Sequence, residues 1–137
     1  MDELYAVLLS WAVTLSGHPM PDHKPTVKMV PHSYIQQVAC NGRECKVMGW
    51  FPPGDTIYLD DRLDPAQSLL ASSVVVHEMV HYLQHLSGAN PAPYSCKASL
   101  AMEQEAYSVQ RDYLLAYGVY QPVGVSMHEV GCELAAQ

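Results

Sequence analysis

The chain has 137 residues, 49% of them apolar, and a net charge of -7 from 14 acidic and 7 basic side chains. That length suits one compact unit, and no Gly/Ser linker or internal repeat divides it, so residues 1–137 are read as a single domain. The acidic balance opposes phosphate backbones and anionic membranes, which excludes nucleic acid as an expected partner.

From the start of the chain, Leu4, Leu8, Trp11 and Leu15 recur at helical spacing behind Asp2 and Glu3. An amphipathic core helix over 2–15 follows, with acids in its first turn where the helix dipole favours them. A signal peptide would begin with basic residues, and a membrane span would need about 20 apolar ones; the opening segment has neither.

The period then changes. Thr26–Val30, Tyr34–Cys40, Cys45–Phe51 and Thr56–Leu59 read as short strands, separated by Pro31, by Asn41-Gly42 and by Pro52-Pro53-Gly54-Asp55. A small antiparallel sheet is expected. Cys40 and Cys45 flank the Asn41-Gly42 turn, whose ends would bring the sulfurs within bridging distance. Cys96 is then left for Cys132, closing a loop worth roughly 4 kcal/mol in the chain-entropy model. Free thiols and a structural zinc site are the rivals, but C-x-x-C spacing is absent. Disulfides imply an oxidising location, periplasmic or secreted, with any leader removed or lying outside this chain.

A long helix is expected over 65–87, capped by Asp64, opened by Pro65 and stopped by Gly88. Leu69, Val76, Val80, Leu83 and Leu86 make an apolar stripe, and Ser73, His77, His81 and Gln84 a polar one. The helix carries His77-Glu78-Met79-Val80-His81. Positions four apart lie about 40° apart around a helix, so both imidazoles can meet one metal. Glu78 is offset from both. It is placed to act as general base on a water activated by the ion, and zinc (Zn2+) is the expected cofactor.

Zinc needs a third protein ligand and an open position. The following helix, from Ser95-Cys96 to Tyr117 and ended by Gly118, offers Glu103 and Glu105. Two residues on a helix are about 200° apart, so only one can readily face the metal. Glu103 shares a stripe with Tyr107, Gln110, Leu114 and Tyr117, suited to packing on the motif helix and placing hydrogen-bond partners for the ligands. It is the preferred ligand, with Glu105 as the alternative.

With these residues the chain resembles the gluzincin metallopeptidases, which join HExxH on one helix to a glutamate on the next, often written E-x-x-A. Glu103-Gln104-Glu105-Ala106 matches that form, and 21 residues separate His81 from Glu103. Glu105-Ala106-Tyr107-Ser108 suits the thermolysin variant, so the choice stays open. Tyr107 stands where an aspartate often orients a histidine. The resemblance covers 64–118 and implies a zincin-like α+β fold, the small sheet packed against the motif helix and the helix after it. It also implies that the strand nearest the motif helix forms the cleft rim, for which Thr56–Asp60 is the candidate.

The expected activity is zinc-dependent peptide-bond hydrolysis, with His77, His81 and Glu103 as metal ligands, Glu78 as base and a peptide or protein as substrate. A zinc-binding domain that recognises a peptide or partner without cutting is the alternative. A carboxylate-bridged di-iron protein is a remote third, since it needs two E-x-x-H pairs in a four-helix bundle and Glu78-Met79-Val80-His81 supplies one. Tyr107, Tyr120, His32, His85 and His128 are further candidate hydrogen-bond donors, none assigned a catalytic role. The sequence assigns no oligomeric state.

Overall fold

A computed structural model describes residues 1–90, 93–126 and 132. The elements are α1 (Asp2–Ser16), β1 (Thr26–Val30), α2 (His32–Ala39), β2 (Gly49–Trp50), β3 (Thr56–Asp60), α3 (Leu69–Ser87) and α4 (Cys96–Ala116). This is a mixed α+β arrangement of four helices and a three-stranded sheet among the described residues.

The sheet is mixed, in the order β1-β3-β2, and corrects the antiparallel expectation. β2 pairs antiparallel with β3 through the Pro52–Asp55 turn, whereas β1 runs parallel to β3. The cause lies in 34–40, expected as strand, where residues through Ala39 form helix and Cys40 caps it. His32, Ile35 and Val38 recur three apart and face inward, with Ile35 fully buried, and Gln36-Gln37 favour helix over strand. A helix between two strands gives the chain room to return in the same direction.

Asn41-Gly42 therefore ends a helix instead of turning a hairpin. Both residues have positive φ (55° and 80°), and the Gly42 amide donates to the Gln36 carbonyl at 2.9 Å. One backbone preference serves both structures. The Cys40–Cys45 bridge still forms, with Cα atoms 6.4 Å apart, as does Cys96–Cys132 at 5.6 Å.

α3 begins at Leu69, four residues later than expected. Asp64 starts a separate turn, its carbonyl accepting from the Gln67 and Ser68 amides. Ser68, with extended backbone, then caps the helix through its hydroxyl, which accepts from the Ala71 amide at 3.1 Å. α4 starts in the same way, Ser95 accepting from the Ala98 amide at 3.0 Å.

α3 is the centre of the molecule. Its Val75, Val76, Met79, Val80 and Leu83 meet Leu8, Leu9 and Ala12 of α1, Ile57 and Leu59 of β3, and Ala106, Val109, Tyr113 and Leu114 of α4 in one buried core. Leu69 lies at the edge of that core and Leu86, expected on the apolar stripe, is mostly exposed. Ser73, His77, Glu78 and Gln84 are buried as well, so polar groups on this helix need internal partners. No described helix is long and apolar enough to cross a membrane.

Candidate metal centre

The two helical histidines meet Glu103 of α4. One ligand atom from each of His77, His81 and Glu103 lies within 4.8 Å of the others, the only such group of three metal-binding side chains among the described residues. Glu103 Oε1 is 3.3 Å from His77 Nε2 and in direct contact with His81 Nε2. Burial works against this charge, but hydrogen bonds from both histidines outweigh it and hold the Glu103 carboxyl well below the usual range. Burial likewise disfavours a charged His81, yet Glu103 and then Glu78 push its pKa up to about 9.

The far sides of the rings show that these donors suit a metal. His77 Nδ1 lies 3.0 Å from Gln110 Oε1, and His81 Nδ1 lies 2.8 Å from Gln84 Oε1. Gln110 donates through Nε2 to Ser73 Oγ at 3.0 Å, and Ser73 donates in turn to the Leu70 carbonyl at 2.6 Å. Gln84 donates to the Met102 carbonyl at 2.9 Å. With their amide nitrogens so engaged, both glutamines present an oxygen, which requires N–H at each Nδ1. In the neutral rings each Nε2 then keeps its lone pair, as a metal ligand must. Two histidines and one carboxylate are a donor set able to hold a metal ion.

Glu105 faces elsewhere. It accepts from Gln84 Nε2 at 2.9 Å and lies 2.8 Å from His18 Nε2, so it stands behind His81. Tyr107 does not fill the role of an orienting aspartate. Its ring packs edge-on against His77, centroids 4.4 Å apart, while Gln110 Oε1 accepts the hydrogen bond from His77 Nδ1. Burial, and then the charges of Glu103 and Glu78, raise the Tyr107 pKa and keep it a neutral O–H donor.

Glu78 is buried beside the cluster, its Oε2 4.0 Å from His77 Nε2. Burial is the main cause that raises its pKa above the ordinary carboxylate value; the two histidines oppose it and Glu103 adds to it. The residue against it is Gly49 of β2, where a Cβ would come within 2.9 Å of Glu78 Cγ and 3.0 Å of Oε2. The backbone of β2 thus approaches the carboxylate as closely as only glycine permits.

These groups line a cleft of about 520 Å³. Its other walls include Met48 and Phe51 around β2, Leu70 and Val74 of α3, and Met102 of α4. β2 is the sheet edge that borders it, which corrects the assignment of Thr56–Asp60 to the rim: β3 is the central strand, paired with β1 on one side and β2 on the other. His32 lies on Asp60, His85 packs on Phe51 and Tyr120 is 75% exposed, so none of them joins the cluster; His128 lies outside the described residues. Sequence reasoning placed Gln84 and Ser73 on the polar stripe without assigning their hydrogen bonds, and it missed Gly49. Gln84, three residues after His81, and Ser73, four before His77, are neighbours of the ligands on one helical face, a signal already present in the polar stripe. In comparisons with protein-family models, with curated proteins and with solved structures, nothing matched this chain.

Proposed function

We propose that this chain is a zinc-dependent peptidase of gluzincin type, with a zincin-like fold, in which His77, His81 and Glu103 hold the ion and Glu78 is the general base. The observation that carries this reading is the buried Glu78 carboxylate lining the same cleft as the three donors. A bound zinc ion would supply Lewis-acid activation of water and of the scissile carbonyl.

The chain's own residues do the rest. Gln110 and Gln84 fix the rings of His77 and His81, and α4 brings Glu103 opposite both. Glu78 takes a proton from the attacking water and returns it to the leaving amine. A carboxylate held above its usual range by burial suits a group that must both accept and give. The unpaired side of β2 offers backbone groups to an extended peptide lying along the cleft. Two disulfides suit an oxidising compartment, and a secreted or periplasmic setting is part of the proposal.

Glu78→Gln keeps the shape of the site and removes the base. Zinc content should stay at one ion per chain, while hydrolysis of an unstructured protein such as casein falls about 100- to 10,000-fold. Turnover at the wild-type rate in that variant would refute the assignment of Glu78.

A further inference from the structure

The two histidines are backed unequally. Behind His77 the chain of hydrogen bonds runs through Gln110 and Ser73 and ends on the Leu70 backbone carbonyl, with every member neutral. Behind His81 it runs through Gln84 to a carboxylate. Glu105 Oε1 accepts from Gln84 Nε2 at 2.9 Å, and the same oxygen lies 2.8 Å from His18 Nε2. His18 follows Gly17, the left-handed residue that ends α1, and is 87 positions from Glu105 in sequence.

Gln84 has two amide hydrogens and two acceptors for them, the Met102 carbonyl and Glu105. Both acceptors are oxygens, one of a carbonyl and one of a carboxylate. The amide is therefore held with its oxygen toward His81 Nδ1, at 2.8 Å. A pair that served only to dock α1 on α4 would need His18 and Glu105 alone. Here the carboxylate oxygen that meets His18 is also the one that fixes Gln84.

We infer that Glu105, held in place by His18, is a positioning residue for the metal ligand His81 and acts on it through Gln84. The inference rests on His77, His81 and Glu103 as metal ligands and not on peptide hydrolysis. It gives the second glutamate of α4 a role distinct from ligation. It also makes the end of α1 part of the support of the site.

The test uses zinc affinity of the full chain, measured by competition with a chelator, and the visible spectrum of the cobalt(II)-loaded chain. Glu105→Ala should still bind one ion but about tenfold more weakly, with displaced cobalt bands, as expected when support behind a histidine ligand is lost. Glu105→Gln keeps an oxygen for Gln84 and should recover affinity to within about threefold of wild type. His18→Ala should weaken binding on its own, yet add nothing when combined with Glu105→Ala, because the two act through one path.

Wild-type affinity and an unshifted cobalt spectrum in Glu105→Ala would overturn the inference. So would fully additive losses from His18→Ala and Glu105→Ala, which mean that the two residues act independently. A wild-type chain that takes up no zinc overturns the metal site and this inference together. Turnover is not among the readouts, so a failure of hydrolysis is a separate result.

Discussion

At the scale of single residues, the site depends on a missing side chain as much as on those present. Gly49 leaves room for the Glu78 carboxylate, and a methyl group there would sit within 3.0 Å of Cγ and Oε2. The side chain of Glu78 is the part able to yield. Gly49→Ala should therefore keep zinc affinity, since the atoms nearest an added Cβ belong to Glu78 and not to a proposed ligand, and lower kcat by about 100-fold, a cost that displacing a reacting group by about 1 Å can carry. Zinc titration beside steady-state kinetics checks both halves. The legibility of the site divides along the same line. His77, Glu78 and His81 were readable because covalent spacing on one helix fixes their mutual placement. Glu103 and Glu105 lie on opposite sides of α4, and which side meets α3 is decided by packing of Ala106, Val109, Tyr113 and Leu114. The stripe that Glu103 shares with Tyr107, Gln110 and Leu114 points to that side without deciding it. Gly49 was invisible, since its neighbour is 29 positions away in sequence and on another element.

At the scale of elements, the junction of β3, α2 and the turn before α3 is held by one fully buried carboxylate. Asp60 Oδ1 accepts from Arg62 N at 2.9 Å and Nε at 3.0 Å; Oδ2 accepts from Arg62 Nη2 and His32 Nδ1, each at 2.7 Å. Burial alone would raise its pKa, but the bonds from Arg62, backbone and side chain, and from His32 prevail and hold it below the usual 3.8. A carboxyl with a depressed folded pKa contributes stability that is complete above the unfolded value and lost as pH falls through the folded one. Wild-type stability should thus decline below about pH 4. In Asp60→Asn the total should drop by about 2 kcal/mol near pH 7, and this part of the acid decline should vanish. Urea unfolding between pH 2 and 7 measures both.

The same junction explains where the sequence misled. Tyr34–Cys40 mixes an aromatic, a branched residue and two glutamines, so neither periodicity is strong over so short a run. The inward row His32, Ile35 and Val38 decides for helix only when Asp60 and the sheet are there to receive it. The two cap serines were a different matter. Ser68 lies four residues past an equally good candidate, Asp64, and both are used, one for a turn and one for the helix.

At the scale of the whole molecule, the bridge from Cys96 to Cys132 ties the start of α4 to a residue 36 positions onward. α4 also supplies Glu103 to the site. Replacing both cysteines with serine should lower the unfolding free energy by up to about 4 kcal/mol, the chain-entropy value for a loop of that length. Denaturant titration of the variant against the oxidised parent gives the number; no loss would mean that the cross-link leaves the unfolded ensemble unchanged. Its pairing was readable because Cys40 and Cys45 are too close in sequence to leave another economical choice.

α1, β3 and α4 all bury their apolar faces against α3. Partial openings of the molecule can shed α1, or the sheet, or α4, but none of them exposes every face of α3. Its central amides, around Met79 and Val80, should then exchange with deuterium only through global unfolding, with protection equal to the full unfolding free energy. Amides of α2, with only Ile35 fully covered, should exchange orders of magnitude sooner. Mass-resolved exchange would read this difference directly, and fast exchange at Met79 would contradict it. His77, Glu78 and His81 therefore ride on the segment slowest to open, so that surrounding elements can breathe while the relative placement of these three side chains persists.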